Sequence, residues 1–183
     1  MKLFVKYNFD TLCKLLIREH LDALDISYTI DSINEVNINQ ELNEIKYKEL
    51  SEALSKFGIE ILTDKKTILV ERIKQAIDDM LEDEKNSNLK LSSFLSDHLN
   101  YSYTYLSTVF SENTYTSIEY YTILRKVDLA KELICSTNLT LTEIAYRLNY
   151  SSVAHLSGQF KKVTGLTPSA FQNIMEKKKN YSL

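Results

Sequence analysis

Hydrophobic residues in the first third of the chain follow two different spacings. Four short segments alternate apolar and polar residues, which is typical of strands with one buried face. Two longer segments have apolar residues three and four positions apart, which is typical of amphipathic helices. The strand segments are 3–7, 26–30, 36–38 and 59–62, and the helical segments are 10–21 and 42–57. The predicted order, β-α-β-β-α-β, is the ferredoxin-like pattern. Asp10 is predicted to cap the first helix, and Gly58 to end the second.

A longer helix is predicted over residues 64–84, where Ile68, Ile73 and Leu81 belong to an apolar stripe. That stripe is either a surface for a partner or a cover for the chain's own sheet. The charged and polar residues 85–90 are interpreted as a linker.

From Leu91 onward every segment has helical spacing. Hydroxyl residues three positions before a Glu form capping boxes at Thr116–Glu119 and Thr140–Glu143, which predict the starts of a long and a short helix. Thr167-Pro168 is predicted to start the last helix, because proline is tolerated at the first helical position.

The predicted fold class is therefore an α+β ferredoxin-like domain followed by an all-α domain. The predicted boundaries are 1–84 for the first domain, 85–90 for the linker, 91–176 for the helical domain and 177–183 for a basic tail.

The tetrapeptide Leu-Asn-Tyr-Ser occurs twice in the helical half, at 99–102 and 148–151. Each copy is followed by a second matching segment, at 106–110 and 156–160, that keeps Leu-Ser and a later Phe. The offset is 49 residues in the first match and 50 in the second, so the later copy has one extra residue at the start of its second helix. A repeat of this length is one supersecondary unit used twice. Its pattern of helix, short turn and helix predicts two helix-turn-helix motifs joined by a long helix.

The apolar residues of each repeat are spaced to pack its two helices together, so the residues between them on the second helix face outward. The predicted base-facing residues are Tyr103, Thr104, Ser107 and Thr108 in the first repeat and Val153, Ala154, His155, Ser157 and Gly158 in the second. Helix N-termini and basic side chains favour phosphate. The predicted phosphate contacts are Ser102, Lys126, Arg147, Ser151, Lys161 and Lys162.

The second repeat contains three runs that carry a resemblance to a known family. They are Leu141-Thr142-Glu143-Ile144-Ala145, Leu148-Asn149-Tyr150-Ser151-Ser152 and Phe160-Lys161-Lys162-Val163-Thr164-Gly165-Leu166-Thr167-Pro168-Ser169. Residues 90–175 resemble the DNA-binding domain of the AraC/XylS family of bacterial transcription regulators. The resemblance implies two recognition helices that enter successive major grooves.

Within this resemblance, the implied base-facing positions are Thr104, Ser107, Thr108, Ala154, Ser157 and Gly158. The chain departs from the family pattern at Asn113-Thr114-Tyr115, where a Thr-Gly pair is usual, and at Gly158, where Arg or Asn is frequent. A strong arginine–guanine contact is therefore missing at Gly158, and we expect more weight on phosphate contacts and DNA shape.

The charge is unevenly distributed. Residues 1–90 carry 13 Lys+Arg and 18 Asp+Glu, whereas residues 91–183 carry 9 and 7. DNA binding is thus expected in the second half, with modest non-specific affinity. The chain shows none of the Gly-rich loops, metal-binding motifs or nucleophile motifs of enzymes, so neither an enzyme nor a cofactor is predicted. Two cysteines and no long apolar run favour a reducing cytoplasm.

The N-terminal pattern resembles heavy-metal-associated domains, whose C-x-x-C loop is reduced here to Asp10-Thr11-Leu12-Cys13. Because a single thiolate is a poor site for a soft ion, Cys13 is only a weak metal candidate. The preferred role of residues 1–84 is homodimerisation, with an unknown small effector left open. The alternatives are a metal- or thiol-responsive sensor through Cys13, and a protein-interaction adaptor that does not bind DNA.

Overall fold

The computed structural model describes residues 2–32, 34–83 and 89–181, the last four by their backbone alone. The chain divides into two compact units between Asp64 and Lys65.

The first unit contains two helices and a hairpin. Its elements are α1 (Phe9–Ala23), β1 (Tyr28–Ser32), β2 (Glu35–Ile38) and α2 (Glu44–Ser55). The two strands are antiparallel, with Tyr28 opposite Ile38 and Ile30 opposite Val36. The buried residues of this unit are Leu21, Ile26, Leu50 and Leu54, which form its small core.

The predicted ferredoxin-like fold is wrong, because the described residues contain only two strands. The first predicted strand is not formed, and Phe4 is 95% exposed. The last predicted strand is also not formed, although Ile59 and Ile61 pack against the core as non-regular chain. Alternating polarity shows only that one side of a segment is apolar, whereas a strand also needs a neighbouring strand for its backbone hydrogen bonds.

The ends of the first-unit helices are set by short polar residues. Asn8, not Asp10, caps α1, and its side-chain oxygen accepts a hydrogen bond from the Thr11 N–H at 2.9 Å. Gly58 has a φ of +74°, which suits glycine in the turn after α2, and its N–H donates to the Ser55 carbonyl at 3.0 Å.

The second unit is helical throughout its regular elements. They are α3 (Lys65–Glu82), α4 (Leu91–Leu99), α5 (Tyr103–Thr114), α6 (Ile118–Ser136), α7 (Leu141–Arg147), α8 (Val153–Thr164) and α9 (Pro168–Tyr181). We call α4–α5 the first motif and α7–α8 the second motif. The first motif shares a core with α3 and the start of α6, and the second shares a core with the remainder of α6.

Helix α3 is the brace of the first motif. Its buried side chains, all in the first core, are Leu69, Val70, Ile73, Ala76 and Ile77. Two ion pairs add to this packing: Asp78 accepts from Arg125 of α6 at 2.6 Å, and Lys66 lies 3.2 Å from Glu112 of α5. The unit boundary therefore precedes α3, whereas the predicted boundary at residue 84 included this helix in the N-terminal domain. The apolar stripe predicts that one face is buried, but it does not specify the partner.

Capping residues explain the starts of the later helices. The capping box at Thr140 and Glu143 is formed as predicted. Helix α6 is capped by Ser117 rather than by the predicted Thr116, with the Tyr120 N–H donating to Ser117 Oγ at 3.1 Å. The Thr167 hydroxyl accepts from the Ala170 N–H at 3.2 Å at the start of α9.

The remaining sequence predictions concern chain ends and membranes. Residue 84 at the end of the predicted first domain, residues 85–88 of the predicted linker and residues 182–183 of the predicted tail lie outside the described residues. In the described part of the chain, no helix is both long enough and apolar enough to cross a membrane.

Candidate nucleic-acid interface

The turns of the two motifs have the same backbone conformation. Asn100 and Asn149 occupy the left-handed region, with φ of 59° and 58°. Asparagine adopts this conformation more easily than most residues, so each turn is encoded by a residue that suits it. Ser102 and Ser152 then cap the second helices, accepting from the N–H groups three residues later at 3.3 and 3.1 Å.

The extra residue of the second repeat lies in its turn. Two residues separate Asn149 from the cap Ser152, and one separates Asn100 from the cap Ser102. Ser151 is therefore not the structural counterpart of Ser102, contrary to the sequence alignment. Its hydroxyl lies 3.1 Å from His155 Nδ1 instead.

The motifs also correspond inside their cores. Phe110 and Phe160 are fully buried, and each accepts, at its carbonyl, a hydrogen bond from a threonine hydroxyl four residues later, at 2.7 and 2.8 Å. Each ring also meets the edge of an aromatic ring on the next helix, Tyr121 at 5.5 Å and Phe171 at 5.6 Å. The structural repeat thus extends into the starts of α6 and α9, beyond the segments that repeat in the sequence.

The predicted outward residues of α5 do not all face solvent. Thr104 and Thr108 are exposed, and Ser107 is half-buried. Tyr103 packs against the first core and its hydroxyl donates to Glu119 at 2.5 Å. Burial and this bond raise the pKa of Tyr103, and the same bond lowers the pKa of Glu119. Tyr103 therefore joins α5 to α6 rather than presenting its ring outward.

Helix α8 presents a surface of small residues. Ala154 and Gly158 are exposed, Ser157 is half-buried, and Val153 packs partly against the second core. A Cβ at Gly158 would meet nothing within 4 Å, so the space in front of this position is open. A DNA backbone or base edge can therefore approach this part of α8 closely.

His155 is exposed but engaged by its neighbours. Its Nδ1 lies 3.1 Å from the Ser151 hydroxyl and its Nε2 lies 3.1 Å from the Gln159 amide nitrogen. The ring also meets Tyr150 edge-on at 5.3 Å. These contacts fix the orientation of the imidazole at the start of α8.

Lys126 is turned toward the second motif. Its ammonium lies 3.4 Å from the Asn149 carbonyl and 5.1 Å from the centre of the Tyr150 ring. Burial lowers the pKa of this lysine, because the charged form loses hydration. The side chain predicted for phosphate thus lies against the turn between α7 and α8.

The other predicted phosphate contacts are at the surface. Lys161 and Lys162 lie exposed in the last turn of α8, and Arg147 lies exposed at the end of α7. The charges of the two motifs differ in sign: residues 91–115 contain two acidic and no basic residues, whereas residues 141–165 contain three basic and one acidic. Attraction of a polyanion is therefore concentrated at the second motif.

Two features of the interface involve tyrosines that were not among the predicted contact residues. Tyr101 and Tyr105 are both nearly half exposed, and their rings lie 5.4 Å apart beside the outward face of α5. Tyr150 is 8% exposed, and burial raises the pKa of its hydroxyl to about 12. The spacing of four residues between Tyr101 and Tyr105 could have indicated their contact, whereas no local pattern indicates the burial of the Tyr150 ring.

Comparison with known proteins supports this geometry. A protein family described as a helix-turn-helix domain matches residues 95–174. The C-terminal domain of AraT, a response regulator from Geobacillus stearothermophilus, is 28% identical, with a TM-score of 0.52 over 61% of this chain and 88% of that one. No curated protein matches the chain.

Two further structures share the fold at lower identity. A DNA-binding transcriptional dual regulator from Escherichia coli K-12 has a TM-score of 0.54 at 18% identity, covering 65% of this chain and 99% of that one. The DNA-binding domain of AdpA, a global transcriptional factor solved with a target DNA, has a TM-score of 0.50 at 19% identity, covering 63% and 96%. Residues 95–174 therefore match a helix-turn-helix domain, and the second unit shares its fold with DNA-binding domains of known structure.

Proposed function

We propose that this chain, with its AraC-type helix-turn-helix domain, is a transcription regulator that binds double-stranded DNA and reads two successive major-groove segments with α5 and α8. The observation that carries the proposal is the pair of motifs with matching left-handed asparagines and serine caps. The match to a helix-turn-helix domain and the likeness to the C-terminal domain of a response regulator support a regulator rather than an enzyme.

The second motif is the principal reader in this proposal. Its positive charge attracts the phosphate backbone, whereas the first motif is acidic. The base-facing residues proposed are Thr104, Ser107 and Thr108 on α5 and Ala154, Ser157 and Gly158 on α8. Hydroxyls and small side chains discriminate bases less strongly than a bidentate arginine, so shape and phosphate contacts carry a large share of the affinity.

Phosphate contacts are proposed for Lys161, Lys162 and Arg147. Lys126 is instead proposed to support the turn, because its ammonium already lies at the Asn149 carbonyl and over the Tyr150 ring. Phosphate contacts position the protein, whereas base contacts give sequence preference.

The test is selection of bound duplexes from a random DNA library with the full chain at low salt. We expect an enriched sequence with two parts about one helical turn apart. Lys161→Ala should weaken binding to all duplexes and reduce the salt slope by about 1, whereas Ser157→Ala should change the preference at one position. Lys48→Ala, an exposed lysine of the first unit, is the matched control and should change neither.

Two results would contradict the proposal. A folded chain that enriches no sequence would favour the adaptor function, since the motifs would then serve protein contacts. Equal losses for Lys161→Ala and Lys48→Ala would show that α8 does not approach the phosphate backbone.

We further propose that residues of the first unit form a homodimer contact. Phe4, Phe9 and Leu15 are all more than half exposed, which is costly for a surface in water. Helix α3 is not available for this role, because its apolar face is buried in the first core. Sedimentation should show a dimer at micromolar concentration, and Phe9→Lys with Leu15→Lys should give a monomer; a wild-type monomer would refute the dimer.

A sensor function through Cys13 has less support. Its thiol is half-buried, and the described residues contain no group of three or more side chains that could hold a metal ion. An unchanged metal and oxidant response in Cys13→Ser would end this alternative.

A further inference from the structure

Residues 2–7, which we call the arm, precede α1 and belong to no helix or strand. No hydrogen bond or ion pair among the described residues involves the arm. Its four large apolar side chains are all between 72% and 95% exposed: Leu3, Phe4, Val5 and Tyr7. Contiguous exposed apolar side chains mark a surface that another molecule covers.

The arm has the residue pattern of a strand with one apolar face and one basic face. Successive side chains of a strand point to opposite faces, so its odd and even positions separate. The even positions carry Lys2 and Lys6, with Phe4 between them, and the odd positions carry only apolar residues: Leu3, Val5 and Tyr7. Such a strand fits a sheet that is apolar on one face and acidic on the other.

The hairpin of β1 and β2 is a sheet of this kind. One face packs against the small core of the first unit through three side chains: Tyr28, Val36 and Ile38. The opposite face is exposed and carries the carboxylates of Asp31 and Glu35. Residues 25–41 contain four carboxylates and no lysine or arginine, whereas the arm contains two lysines and no carboxylate. The arm and the hairpin are therefore complementary in apolar spacing and in charge.

The hairpin also has free backbone edges. In the described part of the chain, its two strands pair only with each other, and no further backbone hydrogen bond reaches residues 28–32 or 35–38. A free edge presents unpaired N–H and C=O groups that pair readily with a strand of another chain. A third strand also adds stability that a two-stranded sheet lacks.

We propose that two copies of the chain exchange their arms, so that each arm adds as a strand to the hairpin of the other copy. A second copy supplies the strand because the single chain leaves its own arm unpaired. The odd positions of the arm would extend the apolar face of the hairpin, and Lys2 and Lys6 would lie beside the carboxylates of its exposed face. This exchange rests on the homodimer proposed above and names the contact that forms it.

The test reverses the charges of the arm and of the hairpin in separate chains. The arm variant is Lys2→Glu with Lys6→Glu, and the hairpin variant is Asp31→Lys with Glu35→Lys. Each variant alone brings like charges together, which should weaken association about tenfold for each arm and about a hundredfold for a symmetric dimer with two arms. The equimolar mixture should form a heterodimer of nearly wild-type affinity, because each arm then meets a hairpin of opposite charge.

Sedimentation at micromolar concentration measures these affinities. The matched control for the arm variant is Lys48→Glu with Lys56→Glu, which makes the same change in net charge at two exposed positions of the first unit. The control should dimerise like wild type. Hydrogen exchange of residues 3–7 reports the backbone pairing directly, and it should be slow in the dimer and fast after dilution to the monomer. A heterodimer in the mixture also shows that both charge variants are folded.

Four results would overturn the exchange. A wild-type monomer would refute the homodimer and the exchange together. A wild-type dimer with equal affinities in the arm variant and the lysine control would refute the exchange alone. A mixture that associates no better than the separate variants would show that the arm does not pair with a second copy. Slow exchange of the arm that persists in the monomer would place the arm on its own hairpin. None of these assays contains DNA, so their failure is distinct from a failure of the proposed DNA binding.

Discussion

Truncation of Ile73 tests whether α3 belongs to the helix-turn-helix unit. Ile73 is fully buried in the first core, next to residues of α4 and α5. Ile73→Ala removes three carbons, which corresponds to about 2.4 kcal/mol of lost transfer free energy at ~0.8 kcal/mol each. The cavity left behind raises the expected loss to about 3–4 kcal/mol, within the usual range for such substitutions. Arg72→Ala, at the exposed neighbouring position, should change stability by less than about 0.5 kcal/mol.

Hydrogen exchange measured peptide by peptide locates this loss. About 3 kcal/mol corresponds to roughly a hundredfold faster exchange of the most protected amides. We expect that acceleration in peptides of α4 and α5, with no change in α1 and α2, because the two units have separate cores. The reasoning is refuted if Ile73→Ala accelerates exchange in α1 and α2 but not in α5, since α3 would then stabilise the N-terminal unit. It is equally refuted if Ile73→Ala and Arg72→Ala have the same effect.

Three further predictions concern single contacts of the second unit. Asp78→Asn should lower the free energy of unfolding in urea by about 1–3 kcal/mol, because it weakens the short, half-buried ion pair with Arg125. Glu112→Gln, which weakens the mostly exposed pair with Lys66, should cost less than about 1 kcal/mol. Equal losses in the two variants would contradict this prediction. Asn149→Ala should lower the urea midpoint of unfolding and Asn149→Gly should not, because glycine and asparagine adopt a φ of 58° more easily than alanine. An unchanged midpoint in Asn149→Ala would show that the left-handed conformation of this turn does not require asparagine or glycine. The hydrogen bond from Tyr103 lowers the pKa of Glu119 in the folded protein. The Glu119 carboxylate therefore stabilises the fold at pH values above its ordinary pKa of 4.5. This stabilisation is lost as the pH falls through the lower pKa of the folded state. The midpoint temperature of thermal unfolding should therefore fall more steeply between pH 6 and pH 3 in wild type than in Glu119→Gln. Parallel curves of midpoint temperature against pH would contradict this prediction.

Much of the second unit was predictable because its signals are local. The boundaries of α5 and α8 follow from a serine cap and an apolar spacing that both lie within one turn or two of the chain. The left-handed asparagines of the turns lie in the repeated tetrapeptide itself. Such signals survive in any tertiary setting, which is why the two motifs were visible without a structure.

The first unit was predicted less well, because strand formation depends on non-local pairing. The segments 26–30 and 36–38 are close in sequence and do form a hairpin. The segments 3–7 and 59–62 have strand-like patterns but do not join it. Their alternation is a property of the side chains, whereas the missing element is a backbone partner.

Exposure of individual side chains on a predicted helix face was only partly correct. Thr104, Ala154 and Gly158 are exposed as the spacing predicted. Tyr103 lies on the same face by sequence, yet its long side chain reaches Glu119 of the next helix. A helical wheel gives the direction of a Cβ atom, but a long side chain ends wherever a neighbouring element offers a partner.

The sequence by itself determined the helices of the second unit, the capping box at Thr140 and Glu143 and the duplicated turn, because these depend on residues within a few positions of each other. Only the tertiary structure decided that α3 packs against the first motif, that Lys126 lies against the second turn, and that the Tyr150 hydroxyl is buried without a hydrogen-bond partner among the described residues. Each of these depends on elements tens of residues apart. Hydrophobic spacing records which face of a helix is buried, but the partner of that face is chosen by packing and charge in three dimensions.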